Sequence, residues 1–178
     1  MSEPKNLIFI FLKVVAWLIF VGLSIEAGGL LVNFIFSIYN PDFVQNLYQK
    51  LDLSEMYERS KGAFFSMYSF VLVIALLKVV LFYVVVRLLT KMDLSNPFNG
   101  FVSKQISQIS FYALSIGLLS FIARQSAKNL MHHGFDTYNL DHFWEDSGAF
   151  VLMAAIVYII ATIFKRGIDI QKENDLTV

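Results

Sequence analysis

Three observations predict an all-α integral membrane protein, a four-transmembrane-helix bundle with an extracytoplasmic amphipathic helix between helices 1 and 2. Four apolar runs are each long enough to cross a bilayer core of about 30 Å. Hydrophobic residues make up 57% of the chain, 16% is aromatic and the mean hydropathy is +0.61, well above soluble usage. All three prolines, Pro4, Pro41 and Pro97, fall outside the runs, as uninterrupted helices require. The 178 residues are read as one membrane domain with spans over 7–39, 64–86, 101–124 and 148–164 and a tail over 167–178.

The first run, from Leu7 to Tyr39, would make a helix of roughly 50 Å, so part of it must protrude, tilt or bend. Gly28-Gly29 is the expected place, since paired glycines lower helix propensity and permit close approach. A cleaved leader is not expected: Lys13 interrupts the run, which continues past Glu26 without a small-x-small cleavage site. Asn40-Pro41-Asp42 ends the element. From Phe43 to Met56, Val44, Leu47, Tyr48 and Leu51 recur at three- and four-residue spacing among polar residues. That pattern predicts an amphipathic helix, on the membrane surface or on the bundle itself.

The second span, Phe64 to Val86, is almost wholly Phe, Val, Leu, Ile, Met, Ala and Tyr, with one charge, Lys78, inside it. A polar turn follows, with Asn96-Pro97-Phe98 as its turn chemistry. The third span, Phe101 to Arg124, is the most polar: Ser103, Ser107 and Ser110 line one stripe, and Gln105, Gln108, Tyr112 and Ser115 another. Polar side chains avoid lipid, so this helix is expected to be central, with that side turned toward other helices. Residues 125–146 read as a polar loop, Gly148 to Phe164 as the short fourth span, and the rest as a polar tail.

Net charge is zero, so no basic field points to nucleic acid and no acidic excess to disorder. Placement is more informative. Lys5, Lys13, Arg87, Lys91, Lys104, Lys165, Arg166 and Lys172 fall on one side, whereas Lys50, Arg59, Lys61, Arg124 and Lys128 fall on the other. The positive-inside rule then places both termini in the cytoplasm. The absence of cysteine excludes disulfides and thiolate chemistry.

Glu26 and Lys78 are the only formal charges far from the ends of the runs. At mid-bilayer each needs a partner, a neutral state or water. Counted from Lys13, Glu26 lies about 20 Å in; counted from Arg87, Lys78 lies about 14 Å in. A lysine stem bridges that difference, so an intramembrane charge pair is expected, with a proton-coupling carboxylate at Glu26 as the alternative. In the loop, His132, His133, Asp136, His142 and Glu145 carry metal-ligating groups, but without a spacing such as His-Glu-x-x-His. A solvated loop is the expectation, with no metal and no cofactor. No phosphate loop, Ser-x-x-Lys or paired-carboxylate signature is present, and no enzymatic activity is expected.

Asn96-Pro97-Phe98, together with the ending Gly-x-x-Ile-Gln-x-Glu-Asn-Asp-Leu-Thr-Val from Gly167 to Val178, resembles the bacterial domain-of-unknown-function family 2975 of small four-span membrane proteins. The likeness is expected to cover essentially the whole chain, with Ile170 where leucine is usual. It implies a multi-pass protein of the bacterial cell membrane. Members commonly lie beside a small helix-turn-helix regulator, which implies a membrane-linked regulatory unit. On that reading the lipid bilayer and a small cytoplasmic DNA-binding regulator are the partners, and the chain itself does not bind nucleic acid. The partner-binding tail would comprise Gln171, Lys172, Glu173, Asn174, Asp175, Leu176, Thr177 and Val178, with the turn at Asn96 to Phe98 beside it. The alternative is a small proton-coupled exporter using Glu26, working as a homo-oligomer because four spans leave little room for a path.

Overall fold

The computed structural model describes residues 4–40, 44, 47–48, 51–94 and 97–175, with side chains described within 7–173. The described chain is helical throughout its long elements: α1 (Pro4–Tyr39), α2 (Ser54–Arg59), α3 (Lys61–Lys91), α4 (Gly100–His132) and α5 (Ser147–Asp175), with a 3-10 segment at Tyr138–Phe143. Four of these are long and apolar enough to cross a membrane. Their 36, 31, 33 and 29 residues correspond to roughly 44–54 Å of helix, so each extends beyond the hydrocarbon core.

The helices pack in chain order, α1 on α3, α3 on α4 and α4 on α5, the last pair most extensively. Each pair is antiparallel. Phe20 meets Tyr83 while Phe34 meets Phe65 and Tyr68, Arg87 lies over Phe101, and Ser110 hydrogen-bonds Ala154. One end of the bundle therefore carries the chain termini and the α3–α4 turn. The other, the loop end, carries α2, the 3-10 segment and the start of α5. The core follows the middle helices. Phe64, Met67, Val71 and Ile74 of α3 share one buried cluster with Ala113, Ile116 and Ala123 of α4, and Tyr68 joins it from the α1 side, its hydroxyl donating to Leu30 O at 3.1 Å.

α4 is central, and Gln105, Ser110 and Ser120 are buried in it. The Ser110 hydroxyl donates to the Ala154 carbonyl of α5 at 3.0 Å, and the Gln105 amide donates to Gln108 Oε1 at 3.1 Å. Other members of the polar stripes stay outside. Ser107 is exposed and Ser115 half-buried, each returning its hydroxyl to the carbonyl four residues back, a local bond that lets serine face lipid. α1 sits at the edge, its apolar face largely uncovered, as a lipid-facing helix can be.

Local signals explain the boundaries. Ser60 Oγ accepts from the Ala63 amide to cap α3, and Asn99 Oδ1 accepts from the Val102 amide to cap α4. α4 runs two turns beyond Arg124, to His132, where Gly134 (φ 80°) closes it. The Phe135 amide donates to Leu130 O and the Gly134 amide to Met131 O, the glycine-terminated pattern that ties off last-turn carbonyls. Arg59 completes this end from across the bundle. Its guanidinium donates to Gly134 O at 2.6 Å and His133 O at 2.8 Å and lies 4.5 Å from the Phe135 ring.

Three expectations need correction. The amphipathic helix over 43–56 is not continuous: 51–53 are non-helical, and the helix found there is Ser54–Arg59. Residues 43, 45–46 and 49–50 lie outside the described chain. Val44, Leu47, Leu51 and Leu53 are buried against the bundle, in a turned segment where the Leu47 amide donates to Leu51 O and the Leu53 amide to Val44 O. Tyr48 explains the docking, since its ring lies where a Cβ on Gly29 would be. Asp52 then starts α2 by accepting from both the amide and the hydroxyl of Ser54. The Gly28-Gly29 pair accordingly admits a side chain while α1 runs unbroken through it.

The loop over 125–146 is the second correction, because it is not simply solvated. Leu140, Phe143 and Trp144 are buried and form a lid on the core, as spacings of three and four allow in a tight helical turn. Third, the tail is no separate segment: α5 continues through 167–175. Leu176, Thr177 and Val178 lie outside the described residues.

Candidate functional site

A concavity lies at the loop end, where α4, the lid and the segment before α2 converge. It is an open cleft of about 540 Å³, within the range of small-molecule sites. Leu51 and Trp144 lie beneath it, both buried, and the exposed side chains of Arg124, Asp141, His142 and Glu145 line it with charge and imidazole. Trp144 is held by its indole N–H, which donates to Asp141 Oδ1 at 3.2 Å. Tyr138 is 81% exposed at the rim, on a turn fixed where its amide donates to Asp136 Oδ1 at 3.0 Å.

This site gathers two of the five metal candidates, His142 and Glu145. Asp136 shapes the adjacent turn, His132 lies exposed in the last turn of α4, and a ring nitrogen of His133 lies 2.8 Å from the Asn129 carbonyl. Among the described residues no group of three or more His, Cys, Asp or Glu converges on a point that could hold a metal. Its exposed lining is polar and carries both signs of charge, Arg124 against Asp141 and Glu145. It contains no paired nucleophile and base.

The intramembrane charges are placed apart. Glu26 is half-buried on the flank of α1. Lys78 follows Met67, Val71 and Ile74 along one face of α3, and its ammonium lies 5.9 Å from the Phe150 ring of α5. Among the described residues Glu26 and Lys78 form no ion pair with each other. A lysine over an aromatic face keeps part of its electrostatic compensation without a carboxylate.

At the termini end the two sequence signatures meet. The Phe98 ring lies 5.1 Å from Phe164. A Cβ on Gly167 would come within 3.0–3.1 Å of Phe98 ring carbons, so the glycine that opens the tail motif is where the turn packs closest. Pro97 belongs to that turn, and Asn96 lies outside the described residues. Beyond the junction Gln171, Lys172 and Glu173 are exposed on the last turns of α5. The side chains of Asn174 and Asp175 lie outside the described residues.

Sequence reading missed Arg124, Tyr138, Asp141 and Trp144 as members of one site. The available signals were Gly134, which ends α4 eight residues beyond the cleft residue Arg124, at His132, and the spacing of Leu140, Phe143 and Trp144. Gly117 was also missed: a Cβ there would stand 2.6 Å from Val151 Cγ2 and 3.1 Å from both Ser147 O and Val151 N. It sets the closest approach of α4 to α5, the helix that begins just after the cleft.

No curated protein and no solved structure matches the chain. The family described as "Protein of unknown function (DUF2975)" matches residues 46–178, which is narrower than the whole-chain likeness expected and leaves α1 outside. Because that match includes the turn, the cleft and the tail motif, the chain belongs to this family.

Proposed function

We propose that this protein is a non-enzymatic regulatory membrane protein, with the loop end outside the cell and the termini in the cytoplasm, and with the end of α5 presented to a small DNA-binding regulator. The observation that carries the reading is the continuity of α5. One unbroken helix of 29 residues begins directly after the cleft residues Trp144 and Glu145 and ends in the exposed tail. A rigid helix spanning both ends is the kind of element on which two sites can act through one packing equilibrium. The Lys/Arg asymmetry supports the orientation. The tail matches the family motif and is helical through Asp175.

The test is capture from native bacterial membranes with the full chain and with residues 171–178 deleted. A cytoplasmic protein retained by the full chain and lost on deletion, with the thermal stability of the bundle unchanged, supports the reading. Equal capture by both forms refutes the tail as the docking element.

A second reading, a small proton-coupled exporter, draws on Glu26, a half-buried carboxylate in a span that is not ion-paired to Lys78. It requires that Glu26→Gln abolish proton-driven efflux while leaving the fold intact.

A further inference from the structure

We propose that a groove at the termini end, between α1 and the end of α3, binds one anionic glycerophospholipid of the adjoining leaflet by its phosphodiester. This goes beyond the regulatory reading, because binding would hold whichever way the bundle is oriented and whether or not the tail recruits a partner.

Position in the bilayer is the first argument. Phe20 of α1 meets Tyr83 of α3, and Lys13 and Thr90 each lie seven residues, roughly 10 Å, further toward the termini end. There they line an open groove of about 320 Å³ together with Phe9, Ile10 and Leu89. Its apolar wall is accessible, since Phe9 and Leu89 are half-buried and Ile10 is exposed. Lys13 is not a surface lysine. It is half-buried, and it stands six residues inside a span that begins at Leu7. Leu7, Ile8, Ile10 and Phe11 continue beyond it as exposed apolar surface, which lipid covers. An ammonium at that depth reaches along its stem for the nearest anion, and in a bilayer that anion is a lipid phosphate.

The polar atoms of the groove are the second argument. On other exposed or half-buried helix flanks Ser69, Ser107, Ser115 and Thr162 return their hydroxyls to the carbonyl four residues back. The Thr90 hydroxyl, in the last turn of α3, makes no hydrogen bond among the described residues, and the Lys13 ammonium has no ion pair there. A lysine and a hydroxyl donor on facing helices at one level match the two non-bridging oxygens of a phosphodiester.

Charge and shape select the lipid class. Arg87 lies over Phe101 at this end, and the contact of Phe98 with Phe164 brings Lys165 and Arg166 of α5 to it. Basic groups gathered at one interface favour a lipid with net negative charge over a zwitterionic one. Asp93 lines the outer end of the groove, beyond Thr90, where the hydroxyls of a glycerol headgroup would donate to it. On the bilayer side of Lys13, Trp17 and Tyr83 are 47% and 52% exposed. They flank the path of the acyl chains at the level where aromatic side chains meet an interface.

The test uses the full chain in dodecyl maltoside, titrated with dioleoylphosphatidylglycerol, dioleoylphosphatidylethanolamine or inorganic phosphate, with bound lipid counted by native mass spectrometry. Phosphatidylglycerol is expected to fill one saturable site with about tenfold higher affinity than phosphatidylethanolamine, and inorganic phosphate should not displace it. Lys13→Gln should weaken that site about tenfold, as loss of a charge-assisted hydrogen bond does. Lys128→Gln, at the loop end, should leave it unchanged. Lys13→Arg should retain it, and Thr90→Val should weaken it about threefold.

Equal affinity for the two lipids overturns the proposal. So does a Lys13→Gln protein that binds phosphatidylglycerol as tightly as the native chain, or a Lys128→Gln protein that loses as much, which reports only a general basic field. Displacement by millimolar phosphate would assign the groove to a free anion and likewise overturn it. If Lys13→Gln does not fold, judged by helical content and thermal midpoint without lipid, the other two variants decide. Lost binding in Lys13→Arg or full binding in Thr90→Val then overturns the proposal.

Discussion

The perturbation with the clearest expected sign is Gly117→Ala, at the closest approach of α4 to α5. Two effects oppose each other. Replacing a helical glycine favours the helix by about 0.5–1 kcal/mol. Against this, the new methyl would stand 2.6 Å from Val151 Cγ2 and 3.1 Å from Ser147 O and Val151 N. The valine methyl can be displaced only by changing a stiff rotamer, and the two backbone atoms cannot yield unless the start of α5 moves. Overpacking of this kind costs about 1–3 kcal/mol, so the net loss lies between near zero and about 2.5 kcal/mol. For a chain of this length the upper end lowers the midpoint of thermal unfolding in detergent by roughly 5–10 °C.

Gly28→Ala is the control, since nothing lies within 4 Å of the added Cβ. It should raise the midpoint or leave it unchanged. Adding Val151→Ala to Gly117→Ala should recover only part of the loss, because the contacts with Ser147 O and Val151 N remain. A Gly117→Ala protein as stable as Gly28→Ala would refute the close approach of the two helices. It would also weaken the argument that α5 is held rigidly below the cleft.

Further outcomes follow from the same geometry. Arg59→Ala should lower stability by about 1–3 kcal/mol, from two charge-assisted bonds in an exposed setting and one cation–π contact. Hydrogen exchange of the amides of 133–135 should accelerate with it, and Arg59→Lys should restore little, because a lysine cannot span both carbonyls in one plane. Glu26→Gln and Lys78→Gln should have additive effects on stability, within about 0.5 kcal/mol; a double variant markedly more stable than the sum of the singles would show that the charges do pair. Asp52 is held below its usual carboxylate value by hydrogen bonds from the hydroxyl and then the amide of Ser54. Its small, solvent-screened contribution is therefore complete above pH of about 4 and is lost as pH falls through the lowered value in the folded protein. The gap in melting temperature between the native protein and Asp52→Ala should narrow on acidification, and a gap that widens would contradict the assignment.

Class, span number and the centrality of α4 were legible in the sequence because they depend on one-dimensional quantities. An apolar run of sufficient length needs no partner to be recognised, and polar residues confined to one helix of a membrane protein have few places to face. The tertiary structure decided what depends on which surfaces meet. The length and spacing of charges made Glu26 and Lys78 look like a pair, since a ruler along the helices carries depth but no rotation. On α3 the lysine ammonium lies toward the Phe150 ring of α5, while Phe65, Tyr68 and Tyr83, which meet α1, project from another side. The segment from Val44 to Leu53 has helical spacing, yet a notch at Gly29, visible only once Tyr48 is docked there, folds it inward.

Polar composition made residues 125–146 read as a solvated loop, and three buried side chains, Leu140, Phe143 and Trp144, turned it into a lid. The cleft could not be read in advance for the same reason. Leu51 is far in the chain from Arg124, Tyr138 and Glu145, and a cleft lined from two connections and from α4 exists only after the helices between them have packed. The sequence by itself determined that this chain belongs in a membrane, because hydropathy and length are local properties. Which residues of distant segments come to line one cleft was decided by tertiary packing, because that is a property of rotation and contact.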